Sequence, residues 1–194
     1  MARGCFISTG RSLPAAIERV KLAESLGYES VYVTHIAGRE SLTVLTAYAL
    51  ATGRIRLGTG VVPIYTRTPA TMAQTAATLD ELSDGRLTLG LGVSHRPVVE
   101  GWHGQTIDRP VAEMREYAMI VRAILRGEDP PSGHKWQTGF HLISDGFLAE
   151  LTAVGDEGQL LAGVERYRDA GAGSPCIGPI PGTDFEATLR AGAA

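Results

Sequence analysis

Gly53-Arg54-Ile55-Arg56-Leu57-Gly58-Thr59-Gly60-Val61-Val62-Pro63 is the stretch on which the fold turns. Ile55 to Val62 is apolar and β-branched on alternate positions, which predicts a strand. Thr68-Pro69 then opens a helix with Met72, Ala76 and Leu79 on one face, closed near Gly85. Arg86 to Val93 is the next strand, so a strand–helix–strand unit is complete. Working outward, the same unit recurs. Upstream, Cys5 to Ser8 is a short strand, and a helix from Pro14 carries Ile17, Val20, Ala23 and Leu26 to a stop at Gly27. Ser30 to Thr34 is a second strand, and Ser41 caps a helix bearing Val44, Leu45, Tyr48 and Ala49. Downstream, a longer connection leads to a helix from Pro110 with Met114, Tyr117, Val121 and Leu125, ended by Gly127.

Strands alternating with helices predict an α/β fold with parallel strands and right-handed crossovers. An open doubly wound sheet would place a phosphate loop after its first strand. Ser8-Thr9-Gly10-Arg11-Ser12 is neither GxGxxG nor a Walker loop. Polar residues instead end all of the first four strands, at Ser8-Thr9, Thr34-His35, Thr59-Gly60 and Ser94-His95. That layout predicts a (β/α)8 TIM barrel, whose chemistry lies at the C-terminal strand ends. Residues 1–194 are then one barrel domain, with four well-formed units over 1–127 and a fragmentary second half over 128–194. Against the ~250 residues of a typical barrel, that second half is short by about two units. Its visible pieces are a strand within Phe140 to Leu148, a helix over Asp156 to Ala170 and a strand over Cys176 to Ile180.

Composition bounds the function classes. Of 194 residues, 44% are hydrophobic and 20% charged, with a net charge of −3, so the chain reads as globular and carries no basic excess for nucleic acid. No window approaches a membrane helix, and the start lacks the apolar run of a secretory leader. The two cysteines, Cys5 and Cys176, form no metal or disulfide pattern, which favours a reducing cytoplasm.

Several residue groups invite chemistry. Ser94-His95-Arg96 follows Gly92-Val93, but GxSxG requires glycine where Arg96 stands, so a serine nucleophile is not indicated. The five histidines show no HExxH and no i,i+4 pair, so no metal site is predicted. His35 and His95 lie just past strand ends, where imidazole suits proton transfer. Position alone leaves each equally open as a loop or capping residue. Gly58-Thr59-Gly60 permits a bulge or the close approach of a flat ligand. Arg39, Arg67 and Arg96 follow strand ends and are candidates for an anion or for solvated loop charges.

Gly53 to Val61 with Arg67-Thr68-Pro69-Ala70, and Ala77-Thr78-Leu79-Asp80-Glu81-Leu82-Ser83-Asp84-Gly85-Arg86-Leu87 running into Leu89-Gly90-Leu91-Gly92-Val93, resemble the bacterial-luciferase-like superfamily. Leu26-Gly27-Tyr28 through Thr34-His35 fits its second strand region, and the closest flavour is the branch using the deazaflavin coenzyme F-420. The resemblance covers the chain to about Gly127. It implies a barrel of that type, a homodimer, and a flavin or deazaflavin across the C-terminal strand ends. It implies a non-prolyl cis peptide within Gly60 to Val62. It implies that Thr34, His35, Gly60, Val61, Gly92, Val93 and Ser94 touch the cofactor, with His35 near the redox carbon. Where the branch often has aspartate before this histidine, this chain has Thr34. Where some members place a glutamate acid after strand four, it has His95. Ser144-Asp145-Gly146-Phe147 and Pro179-Ile180-Pro181-Gly182 fit later segments.

The expectation is therefore an oxidoreductase moving hydride between reduced F-420 and a small organic substrate, with His35 and His95 as catalytic candidates. Alternatives are an FMN-dependent monooxygenase and a barrel that binds a ligand without turnover.

Overall fold

The computed structural model describes residues 4–36, 38–130 and 156–171, with the isolated positions 184 and 187. Two compact units divide the chain, Met1–Thr138 and Gly139–Ala194. In the first, β1 (Gly4–Phe6), α1 (Leu13–Ser25), β2 (Ser30–Val33), α2 (Ser41–Ala51), β3 (Arg56–Thr59) and β4 (Val62–Pro63) lead through a 3-10 turn at Ile64–Thr66. Then follow α3 (Pro69–Leu82), β5 (Leu87–Thr88), β6 (Leu91–Gly92), α4 (Arg96–Gly101) and α5 (Pro110–Leu125). In the second unit the described helix is α6, Glu157–Asp169, opened by a capping box between Asp156 and Gln159. The strands expected near Phe140 and Cys176 lie outside the described residues.

Among the described residues all strand pairs are parallel, in the order β1-β2-β3-β5, with β4 pairing β6. Register sorts the side chains into two faces. Cys5, Val31, Leu57 and Leu87 align on one. Val31 and Leu57 there are wholly buried, in a core shared with Ala16 and Val20 of α1, Leu45 and Tyr48 of α2, and Met72 of α3. Phe6, Tyr32, Gly58 and Thr88 align on the other. The Phe6 and Tyr32 rings lie 5.6 Å apart. A Cβ on Gly58 would meet the Tyr32 ring at 2.4 Å, and one on Gly60 would meet Phe6 at 2.7 Å, so glycine there makes room for the aromatic rings.

Helix starts follow the sequence signals, with one exception. Ser12 and Thr68 cap α1 and α3, each ahead of a proline in the first turn. For α2 the cap is Glu40, not the expected Ser41: its carboxylate accepts the Leu42 and Thr43 N–H groups. Ser41 is the first helical residue and is fully buried. The apolar arc of α2, Leu42, Val44, Leu45 and Tyr48, is buried against neighbouring elements, including α1, α3 and β3. That arc therefore does not argue for a partner chain; Leu50, 72% exposed, is the large apolar residue of α2 left outside. The strand expected over Arg86 to Val93 is broken into β5 and β6, and α4 was not signalled by periodicity.

The long Asp80-to-Arg86 run is a turn with anchors. Asp84 (φ 57°) and Gly85 (φ 72°) turn the chain in the left-handed region. Asp80 Oδ1 accepts the Leu87 N–H. The Arg86 guanidinium donates to the carbonyls of Ser83, Ile55, Ala49 and Thr52 and to the Thr52 hydroxyl. It thereby ties the end of α2, the entry to β3 and the end of α3 with one planar group. Glu24 does the same for the α2–β3 turn, accepting from Gly53, Arg54 and Ile55 N–H. Burial alone would raise the Glu24 carboxyl, but those three bonds and the Arg54 charge outweigh it and hold its pKa below the ordinary value. A depressed carboxylate stabilises the fold above its unfolded pKa and loses that contribution as pH falls through the lowered folded value. Glu24→Gln is thus expected to cost about 1–2 kcal/mol at pH 7. In urea melts, the gap from the parent should close as pH drops below the carboxylate range; a pH-independent gap would assign the effect to packing.

Candidate functional site

The site is built where β3 ends. Gly58 pairs with Thr88, but the next pairing joins Val62 with Leu91. Three residues on one strand, Thr59 to Val61, thus face two on the other, Leu89 and Gly90, a bulge of one residue. Thr59, 2% exposed, spans the gap. Its hydroxyl donates to the Gly90 carbonyl and accepts the Gly90 N–H, both at 2.8 Å. Val62 N–H also reaches the Gly90 carbonyl, at 2.9 Å. Within this detour the Gly60–Val61 peptide is cis, inside the expected window.

The detour turns Val61 outward, 43% exposed, while its methyls lie against β6. A Cβ on Gly92 would meet Val61 Cγ2 at 2.3 Å, and one on Gly90 would meet the Thr59 carbonyl at 2.3 Å. The clearance at Gly60 and Gly92 is therefore taken by Phe6 and Val61, and both side chains remain accessible beside the strands. Val93 and Ser94 follow on the same strand end. Ser94 sits at φ 59°, left-handed for a residue with a Cβ, a conformation that costs roughly 1–2 kcal/mol.

His35 follows β2, its side chain 12% exposed. Nδ1 lies 3.0 Å from Ser41 Oγ and 3.6 Å from Glu40 Oε1. Glu40 Oε1 also receives Arg67 Nη2 at 3.0 Å. Burial is the main influence lowering the His35 pKa; Glu40 opposes it, while Arg67 and His103 add to it. The Glu40 carboxyl is raised by burial, but bonds from Thr43 and Leu42 and the Arg67 charge leave it below its ordinary value.

Thr34 is exposed beside His35. His95 is exposed at the N-cap of α4, 3.5 Å from Ser94 Oγ. Among the described residues no interaction links His95 to His35. The imidazole whose charge reaches His35 is His103, stacked on Trp102 at 5.9 Å, with a buried Nε2 that has no hydrogen-bond partner among the described residues. No periodicity marks that loop, so nothing in the sequence pointed His103 toward His35. The three candidate anion-holding arginines all have protein partners: Arg39 the Gly10 and Arg11 carbonyls, Arg67 Glu40, and Arg96 Glu100.

The family model described as luciferase-like monooxygenase matches residues 1–134. The chain belongs to that family. A Mycobacterium tuberculosis protein named as a coenzyme F-420-dependent oxidoreductase is 45% identical over 113 residues, 58% of this chain and 33% of that protein. The 5,10-methylenetetrahydromethanopterin reductase of Methanolobus tindarius is 37% identical over 109 residues, 56% of this chain and 33% of the reductase. The chain thus spans about a third of the length of these curated relatives. Among solved structures, the coenzyme F-420-dependent tetrahydromethanopterin reductase of Methanopyrus kandleri superposes with a TM-score of 0.62 at 26% identity, over 71% of this chain and 44% of that one. An FMN complex of a type II Baeyer–Villiger monooxygenase from Pseudomonas putida gives 0.63 at 22%, over 70% and 42%, a likeness of fold alone. The parallel α/β architecture is therefore that of luciferase-like proteins.

The packing of Val61 on β6 is directly testable. Gly92→Ala is expected to cost about 1–3 kcal/mol by overpacking, and Val61→Ala in the same chain should recover most of it. Additive losses in urea melts of the two singles and the double would mean the contact is not made.

Proposed function

We propose that this luciferase-like chain serves an oxidoreductase that transfers hydride between reduced coenzyme F-420 and a small organic substrate. The observation that carries the proposal is His35, half-buried, lowered in pKa and held through Nδ1, at the end of β2 beside the Gly60–Val61 detour. The described residues fit a flat ring: Val61 offers an apolar shelf, backed by Gly92 and followed by Val93 and Ser94, and Thr34 lies at the rim. When bound, the deazaflavin supplies the hydride chemistry. The protein's part is to hold the ring, exclude water with Val61 and its neighbours, and move a proton at His35.

Support for F-420 over FMN comes from the relatives named above, whose identity to this chain is higher than that of the FMN-bound monooxygenase. His95 is retained as a second proton candidate, exposed at the N-cap of α4 after β6. On the same reading residues 1–194 form one luciferase-like barrel domain, acting as a cytoplasmic homodimer. With the arc of α2 buried, exposed Leu50 is the residue of α2 left to support a dimer face. Light scattering at micromolar protein should give twice the chain mass, and a clean monomer would end that part of the proposal.

His35→Ala is expected to lower turnover with F-420 by about 10²–10⁴-fold, with a much smaller loss of cofactor affinity. His95→Ala and the double variant complete the set; if the two histidines act as one unit, their losses are not additive. Tighter binding of FMN than F-420 would move the chain to the monooxygenases. Parent-like turnover in all three variants would leave the site as a binding wall only.

A further inference from the structure

We propose that Glu40, Ser41 and Arg67 are positioning residues that lock His35 as the neutral tautomer protonated at Nδ1, leaving Nε2 as the atom that takes up and returns the proton. The inference rests on the reading of His35 as the proton carrier and adds what sets its state.

A carboxylate can only accept hydrogen bonds, so an imidazole nitrogen facing one is favoured as N–H. Glu40 Oε1 faces Nδ1 at 3.6 Å, with the Ser41 hydroxyl closer at 3.0 Å. Neither group is free to drift. Ser41 is fully buried in the first turn of α2. Glu40 is held by the Leu42 N–H on Oε1 and by the Thr43 N–H and hydroxyl on Oε2. His35 Nε2 carries no hydrogen bond among the described residues, so its lone pair is the ring's remaining acceptor.

A carboxylate alone beside a histidine would favour the imidazolium at neutral pH. Burial of the ring opposes this most, and Arg67 adds to it by sharing the same oxygen at 3.0 Å. Arg67 is itself fixed, by Nη1 donating to Thr75 Oγ1 and by its own carbonyl accepting the Tyr117 hydroxyl at 3.0 Å. The charged and titratable groups acting on the ring are thus Glu40 from the entry to α2, Arg67 from the entry to α3, and His103 from the loop after α4. The balance leaves a neutral base at rest. When Nε2 accepts a proton, the new imidazolium still presents Nδ1–H to Ser41 and Glu40, so the ring need not turn. The proton leaves from the same Nε2, and no electrons are exchanged with the protein.

The test is histidine 15N NMR on the whole chain, which reads tautomer and titration without turnover. The parent should show His35 as the Nδ1–H tautomer, titrating below the ordinary histidine range. Arg67→Gln should raise that midpoint by about one pH unit, and Arg67→Lys should restore part of the shift. Ser41→Ala should mix the tautomers with little change in midpoint. Glu40→Gln should lower the midpoint, but it also weakens the α2 cap, so Arg67→Gln decides. An Nε2–H tautomer in the parent, or an unmoved midpoint in folded Arg67→Gln, overturns the proposal. Midpoints that move as expected support the lock. If the pH profile of turnover with F-420 then stays put, it is the proton-carrier reading of His35 that fails, not the lock.

Discussion

The hydroxyl of Thr59 holds together the two ladders between which the chain changes register. The backbone cannot continue one parallel ladder past Gly58, because one extra residue enters on the β3 side. Buried N–H and C=O groups left by such a break must find partners. Thr59 supplies both a donor and an acceptor to Gly90, and its burial shields the pair from water. Everything specific to this strand end follows from that bridge. It allows the Gly60–Val61 detour, and the detour turns Val61 from a core position into a shelf. Threonine suits the position because a backbone-like pair of hydrogen bonds is needed from a short, branched side chain. Valine would fill the same volume and leave the Gly90 N–H without its Thr59 partner, and the carbonyl with the Val62 N–H alone.

A division of labour runs along the strands. At their N-terminal ends, Arg86 and Glu24 gather backbone groups from loops far apart in sequence, and Asp80 ties the end of α3 to the start of β5. Their targets are carbonyls and N–H groups of the chain itself, and this work is structural. At the C-terminal ends lie His35, Val61 and Ser94, with their partners Glu40 and Arg67. The run from Thr78 to Arg86, which makes the sequence most recognisable, therefore belongs to the structural end. The most recognisable run thus holds the strand–helix units together, and the residues that would do chemistry are sparse and scattered. This is the expected arrangement for an α/β fold whose strand ends carry function while the opposite loops carry stability.

The parts legible in the sequence were those written in local patterns. Pro14, Pro69 and Pro110 each sit in the first turn of a helix, and the apolar faces of α2 and α3 are buried where their spacing put them; in α1 and α5 the stripes hold through Val20, Ala23, Tyr117 and Val121, while Leu26 and Leu125 at their ends are exposed. The strand end after β2 and its histidine were readable because an apolar run stops abruptly at Thr34. What stayed hidden were interactions between residues far apart in the chain. Glu40 is a weak capping residue by type, and only the structure shows its carboxylate reaching two N–H groups, Arg67 and the face of His35. The break of the strand at Thr88 was invisible because Leu89-Gly90-Leu91 keeps the apolar alternation right through it. His103 lies in a loop without period, so nothing local distinguished it from His95, which shares the more prominent position after a strand.

The use of glutamate as a cap has a consequence for how this site is tuned. Serine or aspartate would cap α2 with a shorter arm and satisfy the same N–H groups. Neither would also extend to Arg67, which approaches from another loop 27 residues on. With glutamate, helix initiation, the ion pair and the environment of the His35 ring all pass through one carboxylate. Burial makes such shared charges consequential, since a lone carboxylate or guanidinium there would be poorly solvated. The pair is therefore held jointly: loss of Arg67 leaves Glu40 opposed at the ring only by burial and His103, and loss of Glu40 leaves an uncompensated cation near it. Stability of the α2 entry and protonation of His35 are consequently not independent properties. A sequence change at position 40 that improved the helix by ordinary capping rules would also reset the charge that the histidine experiences.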